Sequence, residues 1–169
     1  MAQKVFQNPL TISIAPEISA LDVYADGDAF GAVIDVTSQI KALKPNSTDV
    51  FDTFAEIDSI IVTDMDNQQA SYDVYFKCEN FTVDIADNDS FAPAGSDVPG
   101  LIGPLICSAG GNYTEMPVGA AISAKGLFTV QKRVPLTGSK VLVKVVIRSA
   151  STFQSTSSVS FKITGHHNG

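Results

Sequence analysis

The feature that most constrains this chain is a two-residue periodicity broken at short intervals by turn-forming residues. Near one end, Leu10, Ile12 and Ile14 alternate with Thr11 and Ser13; near the other, Val159, Phe161 and Ile163 alternate with Ser160, Lys162 and Thr164. Successive side chains of a strand point to opposite faces, so each run is a ribbon with one apolar and one polar side. Clusters of Asp, Asn, Gly and Pro separate the runs, and almost no amphipathic helical pattern occurs. One-sided ribbons of this kind bury their apolar faces by stacking sheet on sheet.

The expected strands cover 10–14, 32–37, 54–64, 72–78, 81–85, 101–108, 117–123, 127–132, 141–149 and 158–164. In 54–64 neither parity is cleanly apolar, which predicts a bulge or a strand buried on both sides near Ile60 to Val62. Residues 64–71 read as the turn of a hairpin with 72–78, Gly110-Gly111 reads as another hairpin turn, and 149–158 reads as a Ser/Thr-rich hairpin tip. Asp97-Val-Pro-Gly-Leu-Ile-Gly offers an N-cap, an early Pro and a terminating Gly, enough for one helical turn. The expectation is an all-β chain over 1–169, a single β-sandwich or jelly-roll-like domain with at most one or two short helical turns. Val5 and Phe6 precede the first clear strand. Residues 1–9 are either an apolar arm that docks on a partner or an added edge strand, and Val5 and Phe6 are the candidate partner-binding residues.

Composition narrows the function. The chain has 44% apolar residues and ten Phe but no Trp, and its formal charge is −7. That charge comes from 14 Asp and 4 Glu against 11 scattered basic residues, which argues against nucleic-acid binding. Asp exceeds Glu because its short carboxylate caps turns, so the acidity is mostly turn chemistry. No apolar run is long enough for a transmembrane helix, and the first residues do not read as a signal peptide, so a soluble chain made in a cytosol is expected. The Asn-x-Ser/Thr triplets at Asn46, Asn80, Asn88 and Asn112 then read as turn asparagines.

No set of residues has the spacing of an active site. The only histidines, His166 and His167, stand near the C-terminus, where a frayed and solvated pair is expected. Cys78 and Cys107 are too few for a zinc site and read as free thiols. The Asp clusters 26–28, 64–67 and 87–89 have oxygen-rich spacing, but none continues into a calcium loop, and turn capping is the expected role. Glu17, Glu56, Glu79 and Glu115 are scattered, with no Trp for a sugar to stack on. No Gly-x-Ser-x-Gly elbow or phosphate loop is present. Tyr24, Tyr72, Tyr75 and Tyr113 are available to a carbohydrate site, although strand packing accounts for them equally simply. The expectation is a non-enzymatic protein without cofactor or metal.

One ordered set of residues carries a resemblance. It runs through Asp22-Val-Tyr24-Ala-Asp26-Gly27-Asp28-Ala-Phe-Gly31, then Ile57 to Asp64, then Gln68-Gln69-Ala-Ser-Tyr72-Asp-Val-Tyr75-Phe76, then Asp87-Asn88-Asp89-Ser-Phe91-Ala-Pro93 and Leu101-Ile102-Gly103. From about Ile12 to Ile163 the chain resembles a group of tailed-bacteriophage structural proteins. The resemblance implies a virion component made in the host cytoplasm, an auxiliary capsid protein of the decoration or cement kind that binds the major capsid protein of an assembled head. It also implies a homo-oligomer, a trimer by symmetry matching. A head-fibre or tail component that binds carbohydrate or a receptor is the alternative. The resemblance identifies no functional residue. Two stretches depart from it, the loop 41–52 and the acidic run 49–58.

Overall fold

The computed structural model describes residues 7–41 and 51–168. In chain order the elements are β1 (Gln7–Ile14), β2 (Val23–Tyr24), β3 (Ile34–Asp35), α1 (Thr37–Lys41), β4 (Phe51–Asp64), β5 (Tyr72–Lys77) and a 3-10 turn (Val98–Gly100). They continue with β6 (Ile102–Cys107), β7 (Tyr113–Val118), β8 (Ala121–Gly138), β9 (Leu142–Ile147), β10 (Ser151–Thr152) and β11 (Val159–Asn168). A five-stranded sheet runs β1-β11-β4-β8-β7, a four-stranded sheet runs β3-β9-β5-β6, and β10 pairs with β2. Every pairing is antiparallel. The all-β, sandwich-like expectation holds.

One apolar cluster joins the facing sides of the two sheets. Leu10, Ile12 and Ile14 from β1 and Val159, Phe161 and Ile163 from β11 meet Tyr72, Val74 and Phe76 from β5 and Val143, Val145 and Ile147 from β9. All six residues of β9 are buried. Its inner parity enters the core, and its outer parity lies under the loop that bonds to it through Phe30 N–H to Val145 O and Gly27 N–H to Ile147 O.

Strand β4 shows why its sequence alternates poorly. Ala55 and Ile57 are buried, then Ile60, Val62 and Asp64, so the inward parity changes between 57 and 60. The register shifts at the same place on both flanks, between Ile57 and Ser59 against β8 and opposite Thr164 and Gly165 of β11. Against β11 the extra residue is Asp58, whereas against β8 the extra residue is in β8, between Thr129 and Lys132, where Gln131 sits at φ +49°; the irregularity returns the second half of the strand to the core. Gly165 sits opposite the bulge because a Cβ there would run into the Glu56 carbonyl oxygen.

Several expected elements differ. Only Ile34–Asp35 of 32–37 is strand, because the Asp35 carboxylate accepts the Thr37 N–H at 2.9 Å and turns the chain into α1. Residues 81–85 form a loop in which Ile85 is buried, its path set by side-chain bonds to Asp97 rather than by a ladder. The runs 117–123 and 127–132 are not two strands. Gly119, at φ +63°, turns the chain between β7 and an 18-residue β8. The segments 64–71, 108–112 and 149–158 are not hairpin turns, since each carries the chain from one sheet to the other; the last contributes β10 and a buried Phe153.

Replacing Gly165 by Ala should force β11 away from β4 at the bulge. We expect a loss of about 2–4 kcal/mol in urea unfolding, with near-native far-ultraviolet circular dichroism below the transition.

Candidate functional site

The chemically able residues are largely committed to the fold. His166 and His167 are not a frayed tail: both lie in β11, whose alternation continues through Gly165, and His167 is 4% exposed. His166 Nε2 is 2.8 Å from Glu56 Oε2 and its Nδ1 is 3.4 Å from Asp58 Oδ2. Both ring nitrogens therefore face carboxylates. This pair borders a shallow groove at the bulge lined by Glu56, Asp58, Gln131, Lys132 and Arg133, where Arg133 lies 3.3 Å above the Phe54 ring. The groove's opposite charges largely neutralise one another.

Both cysteines are free. Cys107 pairs with Tyr72 at one end of the antiparallel β5–β6 ladder, whereas Cys78 follows the other end of β5. Six residues of strand separate those positions, about 20 Å at 3.3 Å per residue, well beyond disulfide reach. Burial pushes the Cys107 thiol up to about 12, far from a reactive thiolate.

The aspartate clusters act as turn chemistry. Asp28 accepts the Ala25 N–H at 2.6 Å, and Asp64 accepts the N–H groups of Asp66 and Gln69 at 3.0 and 2.8 Å. Burial raises the Asp64 carboxyl above its usual range against the pull of those bonds. Asp66 accepts the Gln154 N–H at 2.7 Å and the Ser158 hydroxyl. Asp87 reaches farther, accepting Ser19 N–H and Gly31 N–H at 2.6 Å each and the Tyr24 hydroxyl at 2.7 Å. Among the described residues no group of three or more His, Cys, Asp or Glu is arranged to hold a metal ion.

Two lysines complete this internal wiring. Lys144, fully buried on β9, donates to the Gly31 and Ile85 carbonyls at 2.5 and 2.8 Å. Its burial lowers the amine to about 8, partly opposed by Asp84, Asp87 and Asp89. Lys77 is 3.1 Å from Asp97, and both side chains are buried. Burial works to raise Asp97, but bonds from Thr82 and the Lys77 ammonium outweigh it and hold the carboxyl below its usual range. The tyrosines are equally engaged. Tyr24 and Tyr72 are fully buried, Tyr113 donates to Ala70 O at 2.8 Å, and Tyr75 stacks on Phe91. None forms an exposed platform for a sugar ring.

One end of the sandwich gathers six of the exposed large apolar residues, while Ile106, Leu127, Val98 and Val83 are exposed elsewhere. Asp64, Ala124, Glu115 and Val159 stand at the same level across four strands. The β7–β8 hairpin continues past them by three residues, about 10 Å. The segment Met116-Pro-Val-Gly-Ala-Ala-Ile-Ser-Ala124 carries no charge, and Met116, Val118 and Ile122 are 37, 46 and 53% exposed. Met65, Leu21 and Val23 are exposed at the same end. A line of bonds fixes these segments together: Asn67 to Glu115, Gln154 N–H to Asp66, and Leu21 N–H to Phe153 O.

Sequence reasoning did not single out this end. Its signal was available in the uncharged nine residues between Glu115 and Lys125. The sequence-predicted candidates Val5 and Phe6 lie outside the described residues, as does most of the loop 41–52. Residues 7–9 belong to β1, so that part of the expected arm is edge strand. Comparison with protein-family models and with curated proteins finds no match. No helix among the described residues is long and apolar enough to cross a membrane.

Lys144 gives a pH-dependent prediction. Its amine deprotonates near pH 8 in the folded chain and near 10.5 when unfolded, so between those values the unfolded state binds more protons. The residue's contribution to stability therefore rises with pH across that window and is lost as pH falls through 8. In urea unfolding, the stability of wild type relative to Lys144→Met should increase from pH 7.5 to 9.5, while the buried cysteine and tyrosines cancel in the difference. Separately, Asp87→Ala should cost about 3 kcal/mol and Tyr24→Phe about 1 kcal/mol.

Proposed function

We propose that this protein is an auxiliary virion component, a decoration or cement protein that binds the assembled bacteriophage head and stabilises it. The observation that carries the reading is the protruding, uncharged β7–β8 hairpin on a scaffold whose polar residues are largely spent internally. Exposed apolar surface of this kind marks contact with another macromolecule rather than turnover of a small substrate. The ordered likeness to tailed-bacteriophage structural proteins, from Asp22-Val-Tyr24 to Leu101-Ile102-Gly103, supplies the class of partner, the major capsid protein. The mechanism is linkage. Binding to the assembled shell, and not to free subunits, stabilises the shell by the difference in affinity. A homotrimer matching a local three-fold of the shell is the oligomeric form in keeping with this role.

Co-sedimentation of purified protein with heads lacking it, with copies counted on a quantitative gel, tests the proposal. We expect saturation at a symmetric number on the order of hundreds per particle and a raised rupture temperature of the loaded heads. A dozen copies or fewer would place the protein at a vertex or tail instead, and absence of binding would overturn the proposal. Deleting residues 1–6, which carry Val5 and Phe6 and precede β1, should leave the folded spectrum unchanged while lowering head affinity. Unchanged affinity would remove those two residues as anchors.

A further inference from the structure

We infer that the hairpin end is the shell-contacting surface, and that its occupant is an apolar depression rimmed by basic residues on a different protein, entered by side chains rather than joined by strand addition. This rests on the virion reading and gives it a surface and a partner chemistry.

Three observations converge. Leu21, Val23, Met65, Met116, Val118 and Ile122 are all exposed, and all lie beyond or at the level where four strands of the larger sheet end. This places large apolar side chains from four separate segments at one pole. Leu21 is held there at φ +65°, an uncommon conformation for a bulky residue, with its backbone N–H bound to Phe153 O at 2.7 Å. A turn that fixes an exposed leucine in the left-handed region presents that side chain instead of letting it fold back.

Charge selects the occupant. Asp22, Asp26 and Glu115 are exposed around the apolar residues. The neighbouring cations are Lys125 and Arg148, and Arg148 is engaged with Asp73 at 2.7 Å and faces Asp26 at 3.9 Å. Two copies meeting pole to pole would bring these acidic rims together, in a chain already at −7. A partner with Lys or Arg around an apolar recess meets both features.

The mode follows from the edges. β7, the strand at the open side of the hairpin, carries Pro117, which has no N–H to offer a further strand. Contact is therefore made by side chains on both faces of the ribbon tip, Met116 and Val118 on one and Ile122, paired with Pro117, on the other.

The test measures head binding by wild type, Ile122→Asp, Val118→Asp and Glu115→Lys, each first shown to unfold with the wild-type urea midpoint. A photoreactive residue at position 122, with position 83 as a distant exposed control, reports the neighbour. We expect at least tenfold weaker binding for the two Asp variants and a severalfold loss for Glu115→Lys that shrinks at high salt. The crosslink from 122 should reach the shell protein and that from 83 should not. Sedimentation of free Ile122→Asp should show the wild-type oligomeric state. Unchanged head affinity of the Asp variants, a crosslink from 122 between two copies, or an altered oligomeric state would overturn the assignment while leaving the virion role standing. Failure of wild type itself to bind heads would overturn both.

Discussion

Five aromatic rings hold this molecule together at the place where its two sheets meet its end loops. Phe30 lies 5.3, 5.1 and 5.2 Å from the rings of Tyr24, Tyr72 and Phe153, and Tyr72 meets Phe161 edge-on at 5.0 Å. Phe161 belongs to the larger sheet and Tyr72 to the smaller, while Phe30 and Phe153 come from connecting segments. Each such pair adds roughly 0.5–1.5 kcal/mol beyond the area it buries. The cluster fixes loops as well as strands. The surface segments around Leu21 and Gln154 are therefore anchored within three residues of a fully buried ring, Tyr24 and Phe153 respectively, and contact at this end loses little conformational freedom.

The acidic composition has a related meaning. Asp66, Asp87 and Asp97 each accept several donors from segments distant in sequence, and Asp64 accepts two from its own turn, so part of the negative charge is internal wiring that sets the paths of loops. A carboxylate with two or three donors is well compensated in a partly buried position, whereas the same position without them would carry a desolvation penalty. Lys144 does the converse job for two carbonyls on the outer face of β9. The exposed acids Asp22, Asp26 and Glu115 set the field at the hairpin end, with Glu17, Asp58, Glu79, Asp84 and Asp89 exposed elsewhere.

The strands with regular alternation were legible in the sequence, since Val159, Phe161 and Ile163 or Leu10, Ile12 and Ile14 need no tertiary information to choose a face. The irregularity of 54–64 was legible as a bulge, although its location at Asp58 follows only from the register on both flanks. The strand assignment at 81–85 failed because Phe81, Val83 and Ile85 share a parity that suits a ladder, while the structure routes the segment through Asp97 and Lys77. The terminal histidines were misjudged for a different reason. Proximity to a chain end was weighed above the alternation that runs from Val159 to His167. The hairpin end was missed because an uncharged nine-residue stretch reads as buried strand, and only the register shows it passing beyond the core.

An exposed apolar ribbon invites edge-to-edge association, and the distribution of proline shows how the fold limits it. Among the described residues the outer strands of the larger sheet are β1 with Pro9 and β7 with Pro117, and those of the smaller sheet are the two-residue β3 and β6 with Pro104. Each longer edge thus lacks at least one donor, and the remaining edge is too short to template a strand. Backbone pairing is limited at these edges, whereas side-chain packing at the pole is left open. The two properties belong together. An apolar attachment surface is compatible with a dispersed protein before assembly only if the route to it requires a shaped partner, and the proline-marked edges and the acidic rim both impose that requirement.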